Sequence, residues 1–204
     1  MLTRALPIAL VHIFAVLFFS GCASRTPQTY LSYYQIQAPH VDDFVACKSS
    51  GCRKKSWLAY SAEEWRSIRS IFEPATSNAT EERERIRIAI AMMEQIIGPK
   101  NGTAHDNPRN QVIGSRGNQL DCIAEATNTT IGLLLLEKEG LLRFHTTGYP
   151  QHRGFTRLML PHNTASIIEL SNNTHYVVDS WFHAGGEMPE IVTVDTWKAG
   201  YRPN

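Results

Sequence analysis

The sequence predicts an α+β fold: N-terminal helices, one central helix, then an antiparallel sheet. Three observations point there. Up to Gly140, apolar residues recur at helical spacing in successive segments. Beyond Gly140 they come in short runs separated by Gly, Pro and Asn turns, as in strands. Helices followed by strands, rather than alternating with them, give α+β order. A chain of 204 residues that is 43% hydrophobic suits one domain with a real core, plus a leader.

The leader comes first. Arg4 precedes an apolar run from Ala5 to Phe19, broken only by Pro7 and His12. The run is short for a membrane span and reads as a signal peptide over residues 1–21. Residues 22–40 are polar, with two prolines, and read as a tether, leaving 41–204 as the domain. Ser61-Ala62-Glu63-Glu64 starts a helix with Trp65, Ile68 and Phe72 on one face, closed by Pro74. Asn78-Ala79-Thr80-Glu81 resembles a capping box for a second helix, with Ile86, Ile90, Met93 and Ile97 as its stripe and Gly98-Pro99 as its stop. A long polar loop, 100–118, leads to the central helix from about Leu120 to Lys138, ended by Gly140. Its expected core face is Ile123, Ala126, Thr127, Ile131, Leu134 and Leu135. Strands are expected over 142–147, 155–160, 164–170, 174–181 and 191–194.

Composition excludes some functions. The formal net charge is +1, and Arg53-Lys54-Lys55 is a single short basic run, so no nucleic-acid partner is expected. The histidines lack metal-ligand spacing, and no Gly-rich phosphate loop follows a strand, so neither metal nor cofactor is expected.

The four cysteines sort themselves. Phe19-Ser20-Gly21-Cys22 resembles the lipobox of bacterial lipoproteins, in which the cysteine becomes the acylated first residue. That resemblance implies lipidation of Cys22 and a membrane partner through the lipid anchor. Ala23, rather than an aspartate, then implies the outer membrane, facing the periplasm. Cys47 and Cys52 flank a four-residue loop that a disulfide could close in an oxidising compartment. Cys122 is left without a partner. A lone buried cysteine is ordinarily a small hydrophobe. This one falls in the first turn of the central helix, where unpaired N–H groups favour a thiolate.

A nucleophilic thiol needs a base, and the base an orienting group. His162 opens one expected strand and Asp179 lies near the end of the next. A reversal near Leu170-Ser171 would oppose them directly. A tight turn at Asn172-Asn173 would set His162 opposite His183, too far from Asp179 for a hydrogen bond. Taken singly, His162 reads as strand-edge surface and Asp179 as a turn cap. Trp181 reads as a lid over this hairpin.

Cysteine at a helix start, histidine opening a strand and aspartate late in the next is the order of transglutaminase-like and papain-like thiol enzymes. Asp121-Cys122, Val177-Val178-Asp179 and Asp179-Ser180-Trp181 carry the resemblance, which spans roughly residues 80–182 and is nearest the bacterial transglutaminase-like cysteine peptidases. It implies Cys122 as nucleophile, His162 as general base and acid, Asp179 as orienter, and acyl transfer on peptide or amide bonds. Gln119 or Asn118 would give a side-chain donor to the oxyanion. Ile123 and Asn163 depart from the bulky residues that often follow the cysteine or histidine in transglutaminase-like proteins. Two alternatives stand beside this reading: a papain-like cell-wall endopeptidase cutting peptidoglycan stem peptides, and a non-catalytic lipoprotein of the same fold that binds a protein partner.

Overall fold

The computed structural model describes residues 25–111, 117–154 and 161–204. The expected leader, Cys22 and the expected strand over 155–160 lie outside these residues. In chain order the elements are α1 (Pro27–Tyr33), β1 (Phe44–Cys47), a 3-10 turn (Ser50–Cys52), β2 (Lys55–Leu58), α2 (Ala62–Ser70), α3 (Ala79–Asn101), α4 (Cys122–Lys138), β3 (His145–Arg153), β4 (His162–Glu169), β5 (His175–Asp179), β6 (Glu190–Thr193) and α5 (Val194–Lys198). β1 and β2 form a small hairpin; β3–β4–β5–β6 form an antiparallel meander. The architecture is therefore α+β. Among the described residues no helix is long and apolar enough to cross a membrane.

The helix starts follow from capping chemistry. Ser61 Oγ accepts from Glu64 N, and the Glu64 carboxylate accepts from Ser61 N in return. Asn78 Oδ1 accepts from Glu81 N at 2.9 Å, but the Glu81 carboxylate turns to Ser77 instead of closing the box. The expected stop at Gly98-Pro99 is wrong. α3 continues to Asn101 and ends at Gly102, whose φ of 79° suits glycine. Pro99 lies on the exposed side, where a carbonyl without an intrahelical donor can meet water. Asn101 is buried and donates from Nδ2 to Cys47 O at 2.8 Å, which holds the extra turn down.

α4 is buried on nearly every side, as a central helix must be. It packs between the core made with α3 and β1 and the sheet strand β4. Ile123, expected in the core, is only partly buried, while its neighbours Cys122, Ala124 and Glu125 are buried. Part of the expected tether belongs to the domain. In α1, Leu31 is 1% exposed, and Tyr30 Oη lies 3.2 Å from Thr127 Oγ1 of α4. Leu31 and Ile36 have apolar surface to bury, and the short polar stretch around them hides that signal in the sequence.

Glu82 joins the two halves of the domain. From α3 its carboxylate accepts from Arg143 N at 2.7 Å and Phe144 N at 3.0 Å, and meets His145 Nδ1 at 2.9 Å. Burial alone would raise this carboxyl, but the bonds from His145 and the two backbone N–H groups hold it below its ordinary value. A depressed carboxyl stabilises the fold above its unfolded pKa and loses that contribution as pH falls through the folded value. Glu82→Ala should cost about 3 kcal/mol near neutral pH in urea denaturation, because it orphans buried donors. The gap between wild type and Glu82→Gln should close as pH falls below about 4.3. A gap that stays constant with pH would show that the charge is not what matters.

Candidate functional site

Cys122 occupies the first position of α4. Asp121 caps that helix: its Oδ1 accepts from Ala124 N at 3.0 Å and from Gly51 N at 2.8 Å. Gly51 sits in the turn closed by the Cys47–Cys52 disulfide, at φ 65°. The expected disulfide is formed, and it does more than close a loop. Cys47 N donates to Asn128 Oδ1 at 2.7 Å, and Asn128 Nδ2 donates back to Cys47 O at 3.0 Å. The disulfide turn thus grips the first two turns of α4 and fixes where the thiol stands.

The hairpin register falls between the two expected ones. Ala165 pairs with Val178 and Ile168 with His175, and Glu169 N donates to Thr174 O across a four-residue turn. Asp179 therefore lies opposite Thr164, one diagonal step from His162 on the same face, within side-chain reach. His162 Nε2 meets Asp179 Oδ2 at 2.8 Å, and both side chains are buried. Trp197 Nε1 donates to the same oxygen, also at 2.8 Å. The imidazole is boxed by Trp181, Trp197 and Phe182, with ring centroids 4.4, 5.3 and 5.5 Å away. Trp181 is the expected lid, and its Nε1 donates to Asn110 O on the long loop. Arg153, paired with His162 across β3 and β4, stacks on the Trp197 ring at 4.3 Å and donates to the Trp197 carbonyl.

The thiol meets the neighbouring residue. Asn163 Nδ2 points at Cys122 Sγ from 4.0 Å, and the Asn163 backbone N–H also donates to it. Successive strand residues face opposite sides, so β4 offers Asn163 to α4 and His162 to the aromatic box. His162 Nδ1 is buried without a hydrogen-bond partner. The structure therefore joins His162 to Asp179 and brings Cys122 beside His162's neighbour, but makes no Cys122–His162 hydrogen bond.

Two expectations change. The helix start was expected to lower the thiol pKa. Instead burial pushes Cys122 up to about 11, the Asp121 and Asp179 charges add to the rise, and the Asn163 donors only partly offset it. Gln119 does not face the thiol. Its Nε2 donates to His105 O at 2.8 Å and its Oε1 accepts from Asn107 and Asn110, so it braces the loop. Asn118 is exposed beside Gly102. Asn163 and Trp197 were missed. Asn163 looked only like a departure from a motif, and Trp197 lies in a short helix beyond the expected strands.

No group of three or more metal-ligating side chains stands together among the described residues. Compared with family models, curated proteins and solved structures, the chain matches none.

The protonated thiol has a measurable consequence. Alkylation of Cys122 by iodoacetamide should keep accelerating through about pH 9, and near neutrality should run slower than in urea-unfolded chain, whose thiol titrates near 8.5. A rate that plateaus below about pH 8 would mean a thiolate already formed in the folded protein.

Proposed function

We propose that the chain is a thiol-dependent hydrolase or acyltransferase acting on peptide or amide bonds, with Cys122 as nucleophile, His162 as base and acid, and Asp179 as orienter. We take its fold as transglutaminase-like or papain-like, and its setting as the bacterial cell envelope, lipid-anchored through Cys22. The observation that carries the reading is the buried His162–Asp179 pair, whose free Nδ1 belongs to the residue next to the one touching the thiol.

The chemistry follows from who can donate. Indole N–H only donates, so Asp179 Oδ2 is an acceptor, and it can take the Nε2–H of His162 as well. That leaves the Nδ1 lone pair to act as base. Because the thiol starts protonated and His162 Nδ1 makes no bond to it, attack requires Cys122 and His162 to come together on substrate binding, so that the thiol proton reaches Nδ1. Sγ then bonds to the carbonyl carbon, and the carbonyl pair becomes an oxyanion. The Cys122 N–H at the helix start and Asn163 Nδ2 are the nearest donors for it. As the C–N bond breaks, Nδ1–H passes its proton to the leaving amine, and a thioester remains. Water or an amine, deprotonated by Nδ1, then releases the acyl group and returns the thiol. Hydrogen bonds of this kind commonly tighten only once substrate is bound.

One observation favours the non-catalytic reading. A thiol buried to 7% exposure, with its pKa pushed up to about 11, is what a packed cysteine looks like.

A peptidyl acyloxymethyl ketone separates the two. It should label Cys122, and His162→Ala should slow labelling about a hundredfold or more, with iodoacetamide reactivity of the unfolded variants unchanged. Equal labelling with and without His162 would leave only a partner-binding protein with an incidental thiol. Parallel digestion of peptide and peptidoglycan substrates by the active protein would then identify the substrate.

A further inference from the structure

Between the C-terminal half of α3, β1 and the early turns of α4 lies a cavity of about 210 Å³. Its lining is largely apolar, with Phe44, Tyr60, Ile90, Met93, Ile131 and Leu135. Three carboxyls also line it: Glu94 from α3, Asp106 from the long loop and Glu125 from α4. No lysine, arginine or histidine lines it. Pro99, Ala104 and Gly185 on its rim are exposed.

The protein satisfies these acids only in part, and with no cation. Asp106 Oδ1 accepts from Leu120 N at 2.6 Å and from Asn110 Nδ2 at 3.3 Å. Glu94 Oε2 accepts from Gly186 N at 2.9 Å and the Ser180 hydroxyl lies near this carboxyl, but Oε1 is buried without a hydrogen bond. Glu125 is 5% exposed, and its one hydrogen-bond partner among the described residues is the Asp106 carboxyl. Two carboxyls bonded to each other must share a proton, since both cannot ionise at that distance in a medium of low dielectric. The charged groups around Glu125 are Glu94, Asp106 and Asp179, and Asp121 adds to those around Asp106, so every neighbour has the same sign. Burial, with those neighbours, raises Glu125 and Asp106 and pushes Glu94 up to about 7. The shifts all favour the neutral acids, and no cation from the protein lines the cavity to offset them.

We propose that this cavity binds a primary ammonium carried on a short aliphatic chain. An ammonium offers three N–H donors to three carboxyls, and it replaces their protons with a single cation. The apolar lining residues take the chain. An apolar cavity of roughly 150 Å³ accepts benzene, so this one suits a body of about seven heavy atoms. The same chemistry is carried by a free alkylamine and by a lysine side chain. Cys122 is not among the lining residues, so the site stands independently of the thiol chemistry.

Calorimetric titration of the whole protein with n-hexylammonium, acetyl-lysine amide and neutral n-hexanol tests this. At least one amine should bind saturably and release protons, and the tighter of the two names the source. Glu125→Gln should weaken that binding by at least tenfold, about 1.4 kcal/mol. The same variant should fold at least as well as wild type, because its neutral amide can donate to Asp106 in place of the shared proton; Glu94→Gln gives a second reading at another of the three carboxyls. Cys122→Ala should bind the amine unchanged. No saturable amine binding, or binding of n-hexanol as tight as that of n-hexylammonium and indifferent to Glu125→Gln, would overturn the proposal.

Discussion

One carboxylate oxygen organises the far end of the sheet. Asp179 Oδ2 meets the imidazole of His162 and the indole N–H of Trp197, each at 2.8 Å. Trp197 in turn lies under the Arg153 guanidinium, which is tied to the carbonyls of Trp197 and Tyr201. Asp179, His162 and α5 are thereby locked as one unit in a setting nearly closed to water, where charge-assisted hydrogen bonds are strong. With Nε2 held by Asp179, Nδ1 is the one ring nitrogen left to do anything. Every function argued for His162 depends on that assignment.

The thiol is set by a separate device. Asp121, the disulfide turn and Asn128 fix the start of α4, and α4 is wedged between the helical core and β4. The two devices meet at a single peptide unit, His162–Asn163. That explains a combination that looks contradictory in either half alone: an oriented histidine beside a thiol that burial keeps protonated. The buried acids beneath α4 sharpen the contrast. Glu125 and Cys122 lie about one helical turn apart, and burial raises both, the acid further raised by the carboxyls around it and the thiol only partly offset by its Asn163 donors.

Much of this was legible in the residues. Ser61 and Asn78 cap their helices as their side-chain chemistry requires, and the Cys47–Cys52 spacing does close a disulfide. His162 and Asp179 do meet, through a register that sequence could only bracket, because a four-residue turn and a two-residue turn share the same Asn-rich signal. The rest was hidden for physical reasons. Whether α3 stops at Pro99 depends on which side of the helix faces water. Whether Cys122 is a thiolate depends on burial, which a helix-start argument leaves out. Trp197 reaches Asp179 from outside any expected element, and Gln119 is claimed by a loop whose folding no local pattern reveals.

The claim most exposed to test is that His162 gives its Nε2–H to Asp179 and leaves the Nδ1 lone pair free. A nitrogen-15 spectrum of histidine-labelled protein near neutral pH, with His162 assigned by its loss in His162→Gln, reads this directly. The account predicts a protonated Nε2 and an unprotonated, pyridine-like Nδ1. A proton on Nδ1 would contradict it, whether as the opposite tautomer or as imidazolium paired with a thiolate.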